Sequence, residues 1–139
     1  MRKSLIFLAT AALAATGVAG VTAAVATAPS NPPSRAERDY TRLLAGKTPG
    51  KPVDCIDTRF SSPGLSAYGT KLLYRVSNKL VWVSETGGGC EGVARGDALV
   101  TRQYQTQLCR GDMAQTVDMT ARMPTGSCAL GPFTPYRAP

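Results

Sequence analysis

The chain contains no histidine, and this absence removes several kinds of chemistry at once. Ser-His-Asp and Cys-His catalysis both need an imidazole as general base, and a mixed Cys/His zinc site needs one as a ligand. The four cysteines also form no Cys-x-x-Cys pair, which disfavours a zinc knuckle and a thiol oxidoreductase. The sequence therefore predicts a non-enzymatic protein without catalytic, metal-binding or cofactor-binding residues.

Catalysis by a pair of carboxylates does not need histidine, but few carboxylates lie close together in this sequence. Asp54 and Asp57 lie close in sequence, and two carboxylates held across a cleft can hydrolyse a glycosidic bond. Positions three apart on a strand face opposite sides, so we interpret both residues as solvated or turn-forming acids. The tripeptide Arg110-Gly-Asp112 is likewise read as a turn. An enzyme using carboxylates alone remains the least favoured of three functional hypotheses.

The C-terminal two thirds of the chain is nearly balanced in charge. Residues 52–139 carry nine Lys or Arg against seven Asp or Glu, whereas residues 27–51 carry five against two. Phosphate recognition needs basic side chains gathered on one face, so we expect no nucleic-acid partner. The basic segment is suited instead to contact with an anionic polymer.

Residues 1–26 have the order of a secretory signal peptide. Arg2 and Lys3 precede an apolar stretch over residues 5–13, and Ala24-Val-Ala26 fits the small-x-small cleavage rule. The alternative is an uncleaved anchor, because residues 4–28 carry no charge and reach spanning length. We expect a periplasmic or secreted protein that meets a membrane only through an uncleaved signal segment.

Residues 27–51 predict a proline-containing tether with one short helix. Ser34 and Glu37 make a capping box, Leu43 and Leu44 supply a small apolar patch, and Gly46 stands where the helix would stop. A frayed tether without a helix is the alternative, since isolated helices shorter than about 12 residues are marginal in water. A disulfide-stabilised β domain is then predicted over residues 52–139.

The predicted fold class is mainly β, a small antiparallel sheet or a partly open barrel. Residues 70–76 and 80–84 alternate in polarity around Ser77-Asn-Lys79, which predicts a hairpin. Further strands are predicted over residues 55–60, 98–105 and 108–119, with a closing segment over 129–133. Three consecutive glycines from Gly87 predict a loop that reaches Cys90. The predicted core residues are Leu72, Tyr74, Val76, Val81, Val83, Leu99 and Val117.

The cysteines form an even set in a chain that is expected to be exported, which predicts two disulfides. The four residues are Cys55, Cys90, Cys109 and Cys128. Three pairings are possible, and sequence alone does not select one. We favour the nested pairing, Cys90 with Cys109 and Cys55 with Cys128, because the second bond would tie the two ends of the domain.

Several segments resemble a family of small uncharacterised secreted proteins of Gram-negative bacteria. They are Leu44-Ala-Gly46, Pro49-Gly-Lys-Pro-Val-Asp-Cys-Ile56, Gly-Cys-Glu-Gly around Cys90, Leu-Cys-Arg-Gly-Asp around Cys109, and Cys128-Ala-Leu-Gly-Pro-Phe-Thr-Pro-Tyr136. The resemblance covers residues 44–136 and includes the four cysteines and the closing Cys-x-Leu-Gly-x-Phe segment. It implies the limits of the domain and its disulfides, but no activity, cofactor or catalytic residue.

Two functional hypotheses are favoured over an enzyme that uses carboxylates alone. The first is a small non-enzymatic binding or structural module of the cell envelope, whose partner is an envelope protein or an anionic envelope polymer. The second is a secreted or periplasmic inhibitor of a hydrolase, because small disulfide-bonded β domains present rigid loops with little ordering cost. Residues 85–96 are the candidate inhibitory loop.

Overall fold

The computed structural model describes residues 32–58, 64–103 and 106–139, and the fold is mainly β, as predicted. The predicted signal peptide, residues 1–26, lies outside the described residues. No helix in the described ranges is long and apolar enough to span a membrane. The elements are helix α1 (Arg35–Leu44), a 3₁₀ helix (Glu91–Arg95), and strands β1 (Thr48–Pro49), β2 (Cys55–Asp57), β3 (Gly64–Tyr68), β4 (Lys71–Arg75), β5 (Leu80–Glu85), β6 (Ala98–Thr101), β7 (Gln107–Cys109), β8 (Met113–Asp118), β9 (Met123–Ala129) and β10 (Phe133–Arg137).

Helix α1 begins at the predicted capping residue. The Ser34 hydroxyl accepts a hydrogen bond from the Glu37 amide at 3.1 Å, which satisfies one of the free N–H groups of the first turn. Beyond the helix, Gly46 adopts a left-handed conformation with φ +68°, which a residue with a side chain rarely tolerates. The short helix predicted by the capping box is therefore confirmed.

The largest sheet has five antiparallel strands in the order β1-β10-β5-β4-β3. The predicted hairpin is confirmed as β4 and β5, joined through Ser77, whose hydroxyl accepts from the Lys79 and Leu80 amides. One face of this sheet is covered by α1, where Tyr40, Leu43 and Leu44 pack on the buried cluster. This cluster consists of Leu73, Val81 and Val83, and we call it the Leu73 cluster.

The other face of the five-stranded sheet holds the main core. It packs against elements of a three-stranded sheet, β6-β8-β9, and a two-stranded sheet, β2-β7. Phe133 of β10 is fully buried there. Its ring packs edge-on against the ring of Tyr74, with the two ring centroids 5.9 Å apart. The buried residues of this core are Ile56, Ala67, Leu72, Tyr74, Cys90, Val93, Leu108, Ala114, Cys128, Leu130 and Phe133.

The predicted core residues are mostly correct. Leu72, Tyr74, Val81 and Val83 are buried, Leu99 packs against the main core while partly buried, and Val117 is half-buried. Val76 was the wrong prediction, since 37% of its surface is exposed. The reason is local: β4 ends at Arg75, so Val76 belongs to the turn rather than to the alternating strand.

The preferred disulfide pairing is wrong. The structure joins Cys55 to Cys109 and Cys90 to Cys128, so all four cysteines are paired but not in the nested way. Strands β2 and β7 place Cys55 directly opposite Cys109 in the antiparallel register. The nested prediction failed because it used distance along the chain, whereas strand register determines which cysteines meet.

The segment predicted as a tether packs on the domain from the start of α1. Strand β1 pairs with β10, and α1 covers the Leu73 cluster. The structure groups Pro32–Pro139 into one unit, whereas the predicted boundary stood at residue 52. Residues 27–31 lie outside the described residues.

Several strand limits also differ from the predicted ones. The strand predicted over residues 108–119 is divided into β7 and β8 by a turn at Gly111, whose φ is +89°. The closing segment over 129–133 runs from the last residue of β9 to the first residue of β10 instead of forming one strand. Strands β1, β3 and β9 are not predicted from the sequence.

Candidate functional site

The exposed side of α1 carries a row of three arginines. Arg35, Arg38 and Arg42 are spaced by three and four residues, which places them on one helical face over about 10 Å. All three are exposed, while Leu43 and Leu44 pack on the sheet. We call Arg35, Arg38 and Arg42 the arginine row.

Two members of the arginine row also make local contacts. The Arg38 guanidinium donates to the Pro33 carbonyl, which holds it beside the start of the helix. Arg42 forms an exposed ion pair with Asp39, with nitrogen and oxygen 2.8 Å apart. Exposed ion pairs are worth at most about 1 kcal/mol, so this pair leaves Arg42 available to a stronger anionic partner.

The C-terminal half of α1 and the β4–β5 turn enclose a cleft of about 330 Å³. Its floor is apolar, formed by Leu43 and by Val81, which is fully buried. The remaining lining residues are Arg42, Lys47, Arg75, Ser77 and Asn78. In the described part of the chain, three cations and no carboxylate therefore line the cleft, and we call it the basic cleft.

Three different elements supply the cations of the basic cleft. Arg42 comes from α1, Arg75 ends β4, and Lys47 follows the helix. Lys47 is fixed, because its ammonium group donates to the Leu43 carbonyl at 2.7 Å and so caps the end of the helix. Two of its three N–H groups remain for other acceptors.

Sequence reasoning found only part of this site. The positive charge of residues 27–51 was recognised, but as a property of a tether. Arg75 was missed because it is one cation at the end of an ordinary strand, and only the packing of α1 on the sheet brings it to Lys47. Nothing in the local sequence around Arg75 signals this neighbour.

The candidate inhibitory loop, residues 85–96, is held at several points. Cys90 is buried and bonded to Cys128 of β9, and Gly92 and Val93 of the 3₁₀ helix are buried as well. Gly87, Gly88 and Gly89 all have positive φ, so the loop predicted at these three residues is confirmed, and we call it the glycine loop. Gly89 also lies against the backbone of β9, where an added Cβ would overlap the Ser127 carbonyl oxygen.

Glu91 fastens the glycine loop from within. Both of its carboxylate oxygens accept from the Gly89 amide at 3.0 Å. Hydrogen bonds from the backbone amides of Glu91 and Gly89, followed by the nearby charge of Arg95, lower the pKa of this carboxyl. The carboxylate thus accepts hydrogen bonds within the loop, and these bonds favour its ionised form.

Asp54, Asp57 and the Arg110-Gly-Asp112 tripeptide lie on or beside strands β2 and β7. Asp54 is exposed, with its oxygen 3.9 Å from a guanidinium nitrogen of Arg110, and Asp57 is exposed on β2. In the predicted turn at Arg110-Gly-Asp112, the Asp112 carboxylate accepts from the Cys109 amide at 2.7 Å. Within residues 32–58, 64–103 and 106–139, no group of three or more potential metal ligands comes together.

No protein-family model, curated protein or solved structure matches this chain. The two disulfides indicate an oxidising environment outside the cytoplasm. The arginine row, the basic cleft and the loop over residues 85–96 are therefore the features from which a function can be inferred.

Proposed function

We propose that this protein is a small, exported, non-enzymatic binding module of the cell envelope that contacts an anionic polymer through α1. Periplasmic or secreted location is part of the proposal. The observation that carries it is the arginine row, because three exposed guanidinium groups on one helical face form a repeated array of positive charge. A polymer with regularly spaced carboxylates or phosphates offers the matching array.

The packing of α1 supports this role. Its apolar side chains are used against the Leu73 cluster, so the helix is held with its arginines outward. A partner therefore does not have to order the helix when it binds, which lowers the entropic cost of association. Guanidinium groups also suit oxyanions, since each presents a planar fork of donors to two oxygens.

The test is binding of the folded domain, residues 27–139, to polygalacturonate and to polyphosphate, with neutral dextran for comparison. We expect both polyanions to bind at low salt and to dissociate as salt is raised, because exposed charges are screened. Neutralising the arginine row with the triple variant Arg35→Gln, Arg38→Gln, Arg42→Gln is expected to weaken binding by at least about tenfold, or 1.4 kcal/mol.

A matched control separates the arginine row from net charge. Arg102, Arg110 and Arg122 are also exposed and follow β6, β7 and β8; they are not part of α1 and do not line the basic cleft. Changing these three to glutamine removes the same charge, and binding is expected to change little. Equal loss in both triple variants, or no binding of either polyanion by the parent domain, would refute the proposal.

The candidate inhibitory loop favours a second function, that of an inhibitor of a hydrolase. Residues 85–96 are fastened by a buried disulfide and by Glu91, which is the preformed state that tight inhibitors need. Ala94 and Arg95 lie exposed on the 3₁₀ helix. If this candidate is correct, the domain inhibits a member of a panel of lysozymes and proteases, and Ala94→Asp with Arg95→Glu abolishes the inhibition while Arg102→Glu does not.

A further inference from the structure

The basic cleft differs from the arginine row in shape, and this difference indicates a different task. The arginine row is an open helical surface, whereas the cleft is a concavity with a floor, a rim and a volume of about 330 Å³. Small-molecule pockets range from about 300 to 1,000 Å³, so the cleft is the size of a single small unit rather than a length of polymer. We propose that the basic cleft binds one anionic sugar unit, a pyranose that bears a carboxylate or a phosphate.

The lining supports an oxyanion as the charged group of this unit. Arg42, Lys47 and Arg75 all line the cleft, and among the described residues no acidic side chain does; the nearest carboxylate on α1, Asp39, is already paired with Arg42, so an anion gains its most favourable interactions at Lys47 and Arg75. Lys47 is already held by its bond to the Leu43 carbonyl, and its position costs little entropy when a ligand arrives. Arg75 offers the forked donor that a carboxylate or phosphate accepts in pairs.

The rest of the lining supports a sugar as the body of the ligand. Leu43 is half-buried and gives an accessible apolar side chain against which the C–H face of a pyranose ring can pack, and the exposed Asn78 supplies an amide for its hydroxyl groups. Among the residues that the structure describes, no aromatic side chain lines the cleft, so this lining lacks the stacking surface that nucleobase binding uses. A nucleotide is therefore a poorer fit than a sugar acid or a sugar phosphate.

This inference rests on the proposed function, since the unit would belong to the anionic polymer that the arginine row contacts. The cleft begins at Arg42, which is also the last member of the arginine row, so the two features are continuous. A polymer lying along α1 would bring one of its units, or its end, to the cleft. The cleft would then select the kind of unit, while the arginine row would provide most of the salt-dependent affinity.

The test is an NMR titration of the folded domain with galacturonate, glucose 1-phosphate and inorganic phosphate, with galactose and glucose as neutral controls. We expect shifts in the resonances of Lys47, Arg75 and Asn78 with the anionic sugars, and weaker or no shifts with the neutral ones. Binding of galacturonate alone identifies a carboxylate, and binding of glucose 1-phosphate alone identifies a phosphate. Inorganic phosphate binding as tightly as both anionic sugars would overturn the assignment of a sugar.

Variants distinguish this inference from the proposed function. Arg75→Gln is expected to weaken binding of the anionic sugar about tenfold, Arg75→Lys less, and Asn78→Asp to abolish it by placing a negative charge at the rim. The Arg110→Gln control is expected to bind normally. Polymer binding without any shift in the cleft would overturn this inference and leave the proposed function standing. Cleft shifts in a domain that binds neither polyanion would refute the proposed function alone.

Discussion

The Tyr74 hydroxyl is buried and has no hydrogen-bond partner in the described part of the chain. Only 5% of the residue is exposed, and its ring packs edge-on against Phe133. A buried polar group without a partner costs about 1–3 kcal/mol, because it loses water and gains nothing in return. We therefore expect Tyr74→Phe to raise the free energy of unfolding by about 1 kcal/mol. Urea denaturation measures this, and a less stable variant would show that the hydroxyl is satisfied.

The same residue predicts how stability depends on alkaline pH. Burial raises the pKa of Tyr74 above its ordinary value of about 10. The unfolded chain therefore releases this proton at a lower pH than the folded protein, and stability falls as pH rises above about 10. The loss between pH 9 and pH 11 is expected to be smaller in Tyr74→Phe than in the parent. Parallel curves would contradict this, because the other tyrosines are common to both proteins.

Two glycines of one loop offer a matched comparison. Gly87 and Gly89 both have positive φ, but a Cβ at Gly87 would meet nothing within 4 Å, whereas one at Gly89 would overlap the Ser127 carbonyl oxygen. Gly87→Ala carries only the conformational cost of about 1–2 kcal/mol. Gly89→Ala must also push the loop away from β9, and we expect a loss of at least about 3 kcal/mol. Equal losses in urea denaturation would show that the loop is not closely packed on β9.

At the scale of elements, the two disulfides have different surroundings. Cys90 and Cys128 are 2% and 4% exposed within the main core, whereas Cys55 is exposed and Cys109 half-buried on the short strands β2 and β7. A reductant must reach the sulfur atoms, so exposure sets the order of reduction. We expect mild reduction followed by alkylation to label Cys55 and Cys109 first. Earlier labelling of Cys90 or Cys128, read by peptide mapping, would contradict this.

The same elements show what local sequence can and cannot predict. The β4–β5 hairpin was predictable because its strands alternate in polarity around a turn of polar residues. Strand β3, residues 64–68, has a weaker pattern, and β9 contains Pro124 and Gly126, which are poor strand signals. Both strands form because they pair with neighbouring strands, β3 with β4 and β9 with β8, and not because their own residues favour a strand. The disulfide pairing and the approach of Arg75 to Lys47 also depend on this long-range register.

For the whole molecule, α1 is both a cover for the sheet and the surface proposed for binding. Removing residues 27–47 would expose Leu73, Val81 and Val83, of which the first two are fully buried. We expect this truncation to lower the midpoint of thermal unfolding, because it removes the apolar partners of that cluster. The triple arginine variant of α1 keeps those partners and is expected to retain the parent midpoint. An unchanged midpoint after truncation would show that the helix is dispensable.

The position of β10 has a consequence for how the protein is made. This strand lies between β1 and β5, yet it follows both of them in sequence, with the whole of β6-β8-β9 in between. The five-stranded sheet therefore keeps a gap between β1 and β5 until residues 133–137 have been synthesised. An emerging chain can pair β3, β4 and β5 as they appear, but β1 cannot join the sheet before β10 does.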